Sequence, residues 1–277
     1  MCLRRWNNNA RRSRYSIACV CVVCVLLAIT HTYLGLHVLA RGIIFVDLAL
    51  AQVAALGVSV AFLMGKEAHG NEAQLYAFAA TLITAFAFAK LRNIRDKIAR
   101  EVTIGIVYVV ATALSIVILS QSNQGMEELK SLFNGNILWT RWKEVGVIFL
   151  MYVVVVVLHT VYRRMFYRLS FSDNGEEAPG FIWEFLFFAS FAIVITLAVN
   201  IVGVLLVFAF LIIPAFSASL IVDGFFKQML TGWLLSVVGC GVGLSLAYQF
   251  DLPVGATIVS ILGIVPVISA VYAKYRN

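Results

Sequence analysis

The stretch that decides the fold is GIIFVDLALAQVAALGVSVAFLM, residues 42–64. It is long enough to cross a membrane, because a hydrocarbon core takes about 20 apolar residues of helix. It nevertheless carries Asp47 and Gln52, and an aspartate at mid-helix costs about 2.5–3.5 kcal/mol on membrane insertion. That cost is offset when the helix faces protein or a water-filled path, so we interpret this segment as lining a translocation route. The alternative interpretation is a capping aspartate near the membrane interface, since Asp47 follows Gly42 by only five residues.

The composition extends this interpretation to most of the chain. The 277 residues are 62% hydrophobic and 13% charged, with a mean hydropathy of +0.94, whereas soluble domains are about 45–50% apolar. Runs such as VVVVVL (153–158) do not alternate with polar residues as the strands of a transmembrane barrel do. We predict an all-α, polytopic transmembrane helical bundle of eight or nine spans. Residues 1–14 form a basic N-terminal tail and residues 15–277 one transmembrane domain.

Two short basic loops orient the predicted helices. KLRNIRDKIARE (90–101) is one, and the segment from Tyr162 to Phe171 is the other; loops of this kind lie on the cytoplasmic side. Two predicted spans separate them, so both fall on the same side. Nine spans place the N-terminus outside although the tail holds five arginines, and both span counts therefore stay open.

Charge and motifs narrow the classes of partner and chemistry. The net charge of +7 suits a membrane protein with basic cytoplasmic loops and requires no nucleic acid. Cys19, Cys21 and Cys24 are spaced around a helix and serve as small hydrophobic residues rather than as a metal site. The chain has no Gly-x-x-x-x-Gly-Lys-Ser/Thr loop to hold a triphosphate. It also lacks the His-Glu-x-x-His and Gly-x-Ser-x-Gly motifs expected of an intramembrane enzyme.

Five segments resemble, in the same order, the membrane subunit of ABC importers for zinc, manganese and iron. The match extends from about Tyr33 onward, and the glycine and proline positions agree as well as the apolar ones. The resemblance is therefore to the divalent-metal permease family rather than to hydrophobic helices in general. The segments are YLGLHVLARGIIFVDLALAQVAALG, EVTIGIVYVVATALSIVILS, LFNGNIL, VNIVGVLLVFAFLIIPAFSASL and DLPVGATI.

The resemblance implies a permease in the cytoplasmic (inner) membrane that dimerises around a central path. The implied partners are an ATP-binding cassette ATPase subunit, an extracytoplasmic solute-binding protein, a second permease copy and the lipid bilayer. Hydrolysis of ATP would occur in the ATPase, so this chain would not be an enzyme. We expect no tightly bound cofactor; the divalent ion is the cargo.

Candidate functional residues follow from these interpretations. For the translocation path they are Asp47, Gln52 and Asn200. For the coupling to the ATPase they are Arg163, Arg164, Arg168 and Asp173 in one predicted loop, and Asp223 and Lys227 in the loop 222–228. The family continues after the first of these loops with a short cytoplasmic helix. Here Asp173, Asn174, Gly175, Pro179 and Gly180 interrupt helix, so we predict an altered loop.

The sequence departs from the family pattern at the expected metal ligands. The family typically places Asp and His four residues apart, but the residue four after Asp47 is Ala51. If Gly57 sets the register, the family's His falls on Gln52 and its Asp on Leu48. Asp47 and Gln52 are about 140° apart around a helix and cannot hold one ion together on a straight one. Asp47 is the remaining metal-ligand candidate on this helix. A diverged permease for a metal chelate or another small solute stays open as the alternative, with an intramembrane enzyme as a third.

The sequence gives less evidence for a functional role of the histidines. His31 and His37 flank the end of the first apolar run, and we place both at a membrane interface. His69 lies in the loop KEAHGNE beside Glu67 and Glu72, where a solvated loop is the simpler reading and a metal hand-off site the alternative.

Overall fold

The computed structural model describes residues 10–67, 70–94, 96–121, 135, 137–171 and 179–276. Every regular element in these residues is helical, which confirms the all-α prediction. Two short 3-10 helices, Leu91–Asn93 and Ile137–Trp139, accompany ten α-helices. The α-helices are α1 (Ala10–Arg41), α2 (Val46–Leu63), α3 (Asn71–Lys90), α4 (Lys97–Leu119), α5 (Trp142–Val161), α6 (Arg163–Phe171), α7 (Phe181–Val202), α8 (Val204–Ile221), α9 (Phe225–Phe250) and α10 (Val254–Arg276).

Nine of these ten helices in the described ranges are long and apolar enough to cross a membrane. The exception is α6, which has nine residues. The first apolar run and its continuation form one candidate span, Ala18–Arg41, and the next is the segment with Asp47, Val46–Leu63. Length and composition therefore favour nine spans over eight.

The chain divides into two compact units. The first unit comprises Met1–Leu36, Asn134–Tyr152 and Ile201–Asn277. Its helices α8, α9 and α10 pack against one another. Gly203, with a φ of 80°, breaks the chain between α7 and α8; glycine has no Cβ to oppose this conformation. Pro214 lies inside α8 and removes one backbone hydrogen bond, yet α8 continues through it as one element.

The second unit comprises His37–Phe133 and Val153–Asn200. Here α2 packs against both α3 and α4. A Cβ at Gly57 would lie 2.7 Å from the Cα of Ala77, so the absence of a side chain allows the backbones of α2 and α3 to approach closely. Small residues have this role at helix contacts in membranes.

The predicted loop from Tyr162 to Phe171 is wrong, because most of it is helix α6. The residues expected to interrupt helix come later: Pro179 and Gly180 directly precede α7, and Asp173 to Gly175 lie outside the described residues. Phe166 and Ser170 are four apart and share one face of α6. Phe166 is fully buried, which gives this short helix an apolar anchor.

Candidate functional site

The polar side chains of α2 are enclosed in protein. Asp47 and Gln52 are each 1% exposed. Neither the carboxylate oxygens of Asp47 nor the amide atoms of Gln52 have a hydrogen-bond partner among the described residues. Asp47 is the second residue of α2 and lies in its first turn, so it is at a helix end and not at mid-helix, as the alternative interpretation has it; the Phe45 N–H beside it donates to Glu101 Oε1 at 2.9 Å. Buried polar groups without partners are rare, and in membranes they mark pathways.

The geometry of α2 presents these groups one after the other. Five residues correspond to a rise of about 7.5 Å along a helix, so Asp47 and Gln52 offer donors at two depths. No group of three His, Cys, Asp or Glu side chains in the described ranges could hold a metal ion. The arrangement therefore supplies single oxygen donors rather than a closed cage, and oxygen donors suit hard ions such as Mn²⁺ better than they suit Zn²⁺.

Asn200 has a different environment from the other two path candidates. It is exposed near the end of α7, and its amide Nδ2 donates to the carbonyl oxygen of Thr196 at 3.0 Å. The side chain satisfies the backbone of its own helix. The structure does not give it the enclosed position of Asp47 and Gln52.

The coupling candidates of the second unit lie on α6. Arg163, Arg164 and Arg168 are all exposed, whereas Phe166 on the same helix is buried. Helix α6 thus has a strongly polar, basic side and an apolar side, as the 3.6-residue period of an α-helix allows.

Two histidines hold α6 to the second unit. The ring of His159 stacks on Phe166 with centroids 3.9 Å apart. His37 Nδ1 and Ser170 Oγ are 2.8 Å apart, within hydrogen-bond distance. His37, like His31, is buried within the protein; their placement at a membrane interface stays a prediction. Sequence reasoning missed this role, although the spacing of Phe166 and Ser170 was a signal.

A buried ion pair joins α1 to α7 in the same unit. Arg41 Nη2 donates to Glu184 Oε2, and the two side chains are only 5% and 9% exposed. The guanidinium group also lies over the ring of Phe187, 4.5 Å from its centroid. Glu184 and Phe187, which both contact Arg41, are three residues apart and share a helix face.

The remaining candidates lie elsewhere. Asp223 and Lys227 are exposed in the first unit, before α9 and in its first turn. Asp173 and His69 lie outside the described residues. Lys66 precedes His69 in the same loop, and its Nζ pairs with Glu72 Oε2 at 2.9 Å. The hydrogen bond to Glu72 raises the pKa of Lys66.

Comparisons with known proteins agree on one family. A family model described as the ABC 3 transport family matches residues 14–273. The manganese transport system membrane protein MntC of Listeria monocytogenes is 26% identical over 259 residues, which cover 92% of this chain and 90% of that protein. A Haemophilus influenzae protein named "Probable iron transport system membrane protein" is 24% identical over 258 residues, covering 92% and 91%.

A solved structure has the same fold. The structure titled PsaBC from Streptococcus pneumoniae in complex with Fab aligns with a TM-score of 0.76 and 19% sequence identity. The alignment covers 95% of this chain and 96% of that chain.

Proposed function

We propose that this chain, which belongs to the ABC 3 transport family, is the permease subunit of an importer that moves a divalent metal ion. It is a multi-pass protein of the cytoplasmic membrane, with nine candidate spans in the part of the chain that the structure describes. ATP hydrolysis belongs to a separate subunit.

The buried donors of α2 carry the proposal of a metal cargo. Asp47 and Gln52 are enclosed and have no hydrogen-bond partner among the described residues, so their oxygen atoms are available to a passing ion. The names of the relatives, which specify manganese and iron, support the same cargo class. Because the donors are separate, each contact is weak, and weak successive contacts let an ion leave a site as readily as it enters.

Transport by alternating access requires partners that distinguish two states. A ligand shifts a conformational equilibrium only through different affinities for the two states. A loaded solute-binding protein would favour the outward-open state, and ATP binding to the ATPase would shift the balance. A second permease copy would complete the path, as the family resemblance implies.

Helix α6 is the proposed docking element for the ATPase. Arg163, Arg164 and Arg168 are exposed on it, while Phe166 and Ser170 fix its other side to His159 and His37. A basic helix held in this way can transmit a push from an ATPase to α1 and α5, where the two histidines lie. The loop with Asp223 and Lys227 is the second proposed contact.

A metal chelate or another small solute is the second candidate cargo. The observation that favours it is a missing histidine: neither Ala51, four residues after Asp47, nor Gln52, which takes the family's histidine position if Gly57 sets the register, is one. A single carboxylate, without an imidazole on the next turn, would hold a bare Zn²⁺ poorly.

The cargo is tested by elemental analysis of cells that lack the gene. We expect accumulation of manganese or iron to fall in the deletion strain and to return with the wild-type gene. An Asp47→Ala gene should restore less than about a tenth of the uptake, since loss of a group that acts at the reaction path costs an order of magnitude or more.

Ser59→Ala is the matched control on the same helix. The Ser59 hydroxyl is buried but donates to the Ala55 carbonyl of its own helix at 2.8 Å, so this variant should transport normally. Unchanged zinc, manganese and iron in the deletion strain would rule out a metal-ion importer and leave the chelate or solute importer.

The coupling role of α6 is tested by reversing its charge. We expect Arg163→Glu combined with Arg164→Glu to reduce metal uptake several-fold while the protein stays in the membrane, because the docking charges change sign. Lys227→Glu in the other contact serves as the comparison. Normal uptake by the α6 double variant would exclude this helix as the docking element.

A further inference from the structure

Two buried cysteines meet between α1 and α9 in the first unit. Cys24 lies on α1 and Cys240 on α9, and the two residues are 3% and 4% exposed. Their thiol groups are hydrogen-bonded to each other, and both cysteines are free. We call these two residues the cysteine pair. Because the sulfur atoms are already in contact, a covalent bond between them would join two helices that are far apart in the sequence.

Other contacts between α1 and α9 hold the two helices together on neighbouring turns. Thr32 Oγ1 and Ser236 Oγ are 3.1 Å apart, within hydrogen-bond distance. Trp233 Nε1 donates to the carbonyl oxygen of Ile29 at 3.0 Å. Ser236 and Cys240 are four residues apart and lie on the same side of α9. The meeting of the two sulfur atoms therefore follows from the packing of the helices and not only from the rotation of two side chains.

The cysteine pair lies toward the outer end of α1. The candidate span begins at Ala18, and Cys24 follows it by six residues, or about 9 Å along the helix. With nine spans, the predicted orientation places this end of α1 on the extracytoplasmic side, where disulfides form and persist. Cys21, one turn away on α1, is exposed, so the surface of the protein is close to the pair.

We propose that the cysteine pair is an oxidation site, at which hydrogen peroxide converts the two thiols into a disulfide. One thiol reduces the peroxide to water and becomes a sulfenic acid; the second thiol attacks that sulfur, the S–S bond forms and a second water leaves. The two cysteines lose two electrons and two hydrogen atoms, and the peroxide receives them. The product is uncharged, which suits a buried position. This site is independent of the cargo.

The test identifies the disulfide directly in the full-length protein in nanodiscs. Reduced protein is treated with hydrogen peroxide, the remaining thiols are blocked with N-ethylmaleimide, and peptides are analysed by mass spectrometry without reduction. We expect one main linked product, a peptide with Cys24 joined to a peptide with Cys240, which disappears after treatment with dithiothreitol. Oxidised cysteines without this link would overturn the proposal.

Cys21→Ser is the matched control for Cys24→Ser, because Cys21 is on the same helix and within electrostatic range of Cys240. The Cys21→Ser protein should give the same yield of the linked product as the wild type, and the Cys24→Ser protein should give less than about a tenth of it. A yield that survives in Cys24→Ser and is lost in Cys21→Ser would overturn Cys24 as the partner of Cys240.

A second measurement uses only the wild-type protein and so does not depend on the folding of a variant. The midpoint of thermal unfolding should rise after oxidation and return to its first value with dithiothreitol, because a cross-link between distant residues restricts the unfolded chain. A fall in the midpoint would mean that the two sulfur atoms join only when the helices are distorted, and it would overturn the pair as a native oxidation site.

Discussion

Two buried ionisable side chains in the second unit have different surroundings. Arg41 is paired with Glu184 and covered by the ring of Phe187. Asp47 is equally enclosed, but its carboxylate has no hydrogen-bond partner among the described residues. A buried ionisable group with a partner on another helix joins the two helices, whereas one without such a partner lowers stability and is retained for another purpose. The comparison separates an architectural site from a proposed transport site within one unit.

The largest expected effect is the loss of stability when the architectural pair is broken. Glu184→Gln should lower the free energy of unfolding by about 3–5 kcal/mol, because it leaves the Arg41 charge buried without its carboxylate. Thermal unfolding in nanodiscs measures the change.

Glu72→Gln is the control, since its partner Lys66 is exposed and such pairs contribute little. It should unfold like the wild type. If Glu184→Gln also did so, the contrast between paired and unpaired charge would fail.

The second prediction concerns Asp47, whose replacement should not lower the free energy of unfolding as the replacement of Glu184 does. Asp47→Asn should leave the free energy of unfolding within about 1 kcal/mol of the wild type or raise it, because it replaces a buried carboxyl group that has no side-chain partner with an amide of the same shape. Metal uptake should nevertheless fall at least tenfold, as for the alanine variant. Uptake assays and thermal unfolding on the same preparation check both parts.

Asp96→Ala provides the matched control at the start of α4. Asp96 Oδ1 accepts the N–H of Ile98 at 2.9 Å, so its loss should cost about 1 kcal/mol of stability and leave uptake intact. Strong destabilisation by Asp47→Asn would mean that Asp47 has an architectural role, like Glu184.

The helical fold could be predicted from the sequence because the patterns that identify transmembrane helices are local. Runs of apolar residues about 20 long identify transmembrane helices without knowledge of their neighbours, and the nine candidate spans follow them. Helix α6 was missed because its basic residues and the later Asp173 to Gly175 suggested a loop. Its stabilising contact, between His159 and Phe166, depends on a helix boundary that sequence alone locates poorly.

The architectural pair could not be predicted for a related reason. Arg41 and Glu184 are 143 residues apart, and their meeting depends on how helices pack rather than on either local sequence. Asp47 and Gln52 were recognisable as candidates because a polar residue inside an apolar run is conspicuous in one sequence. Asn200 was predicted to lie near a turn between two spans, and its place near a helix end allows it to bond its own backbone.

The smallest expected effect tests whether a partner on another helix is what makes a buried polar group stabilising. Ser190 Oγ lies 2.8 Å from His159 Nε2, which joins α7 to α5. The Ser190 hydroxyl also donates to the Phe187 carbonyl oxygen of its own helix at 2.9 Å, so the bond to His159 is what distinguishes it from Ser59. Ser190→Ala should cost about 0.5–1.5 kcal/mol of unfolding free energy for the bond to His159. Ser59→Ala removes a hydroxyl that is equally buried and bonds only its own helix, so thermal unfolding should show a smaller loss. Equal losses would mean that burial of the hydroxyl, rather than the link between helices, determines stability here, and the distinction drawn for Arg41 and Asp47 would then need a different basis.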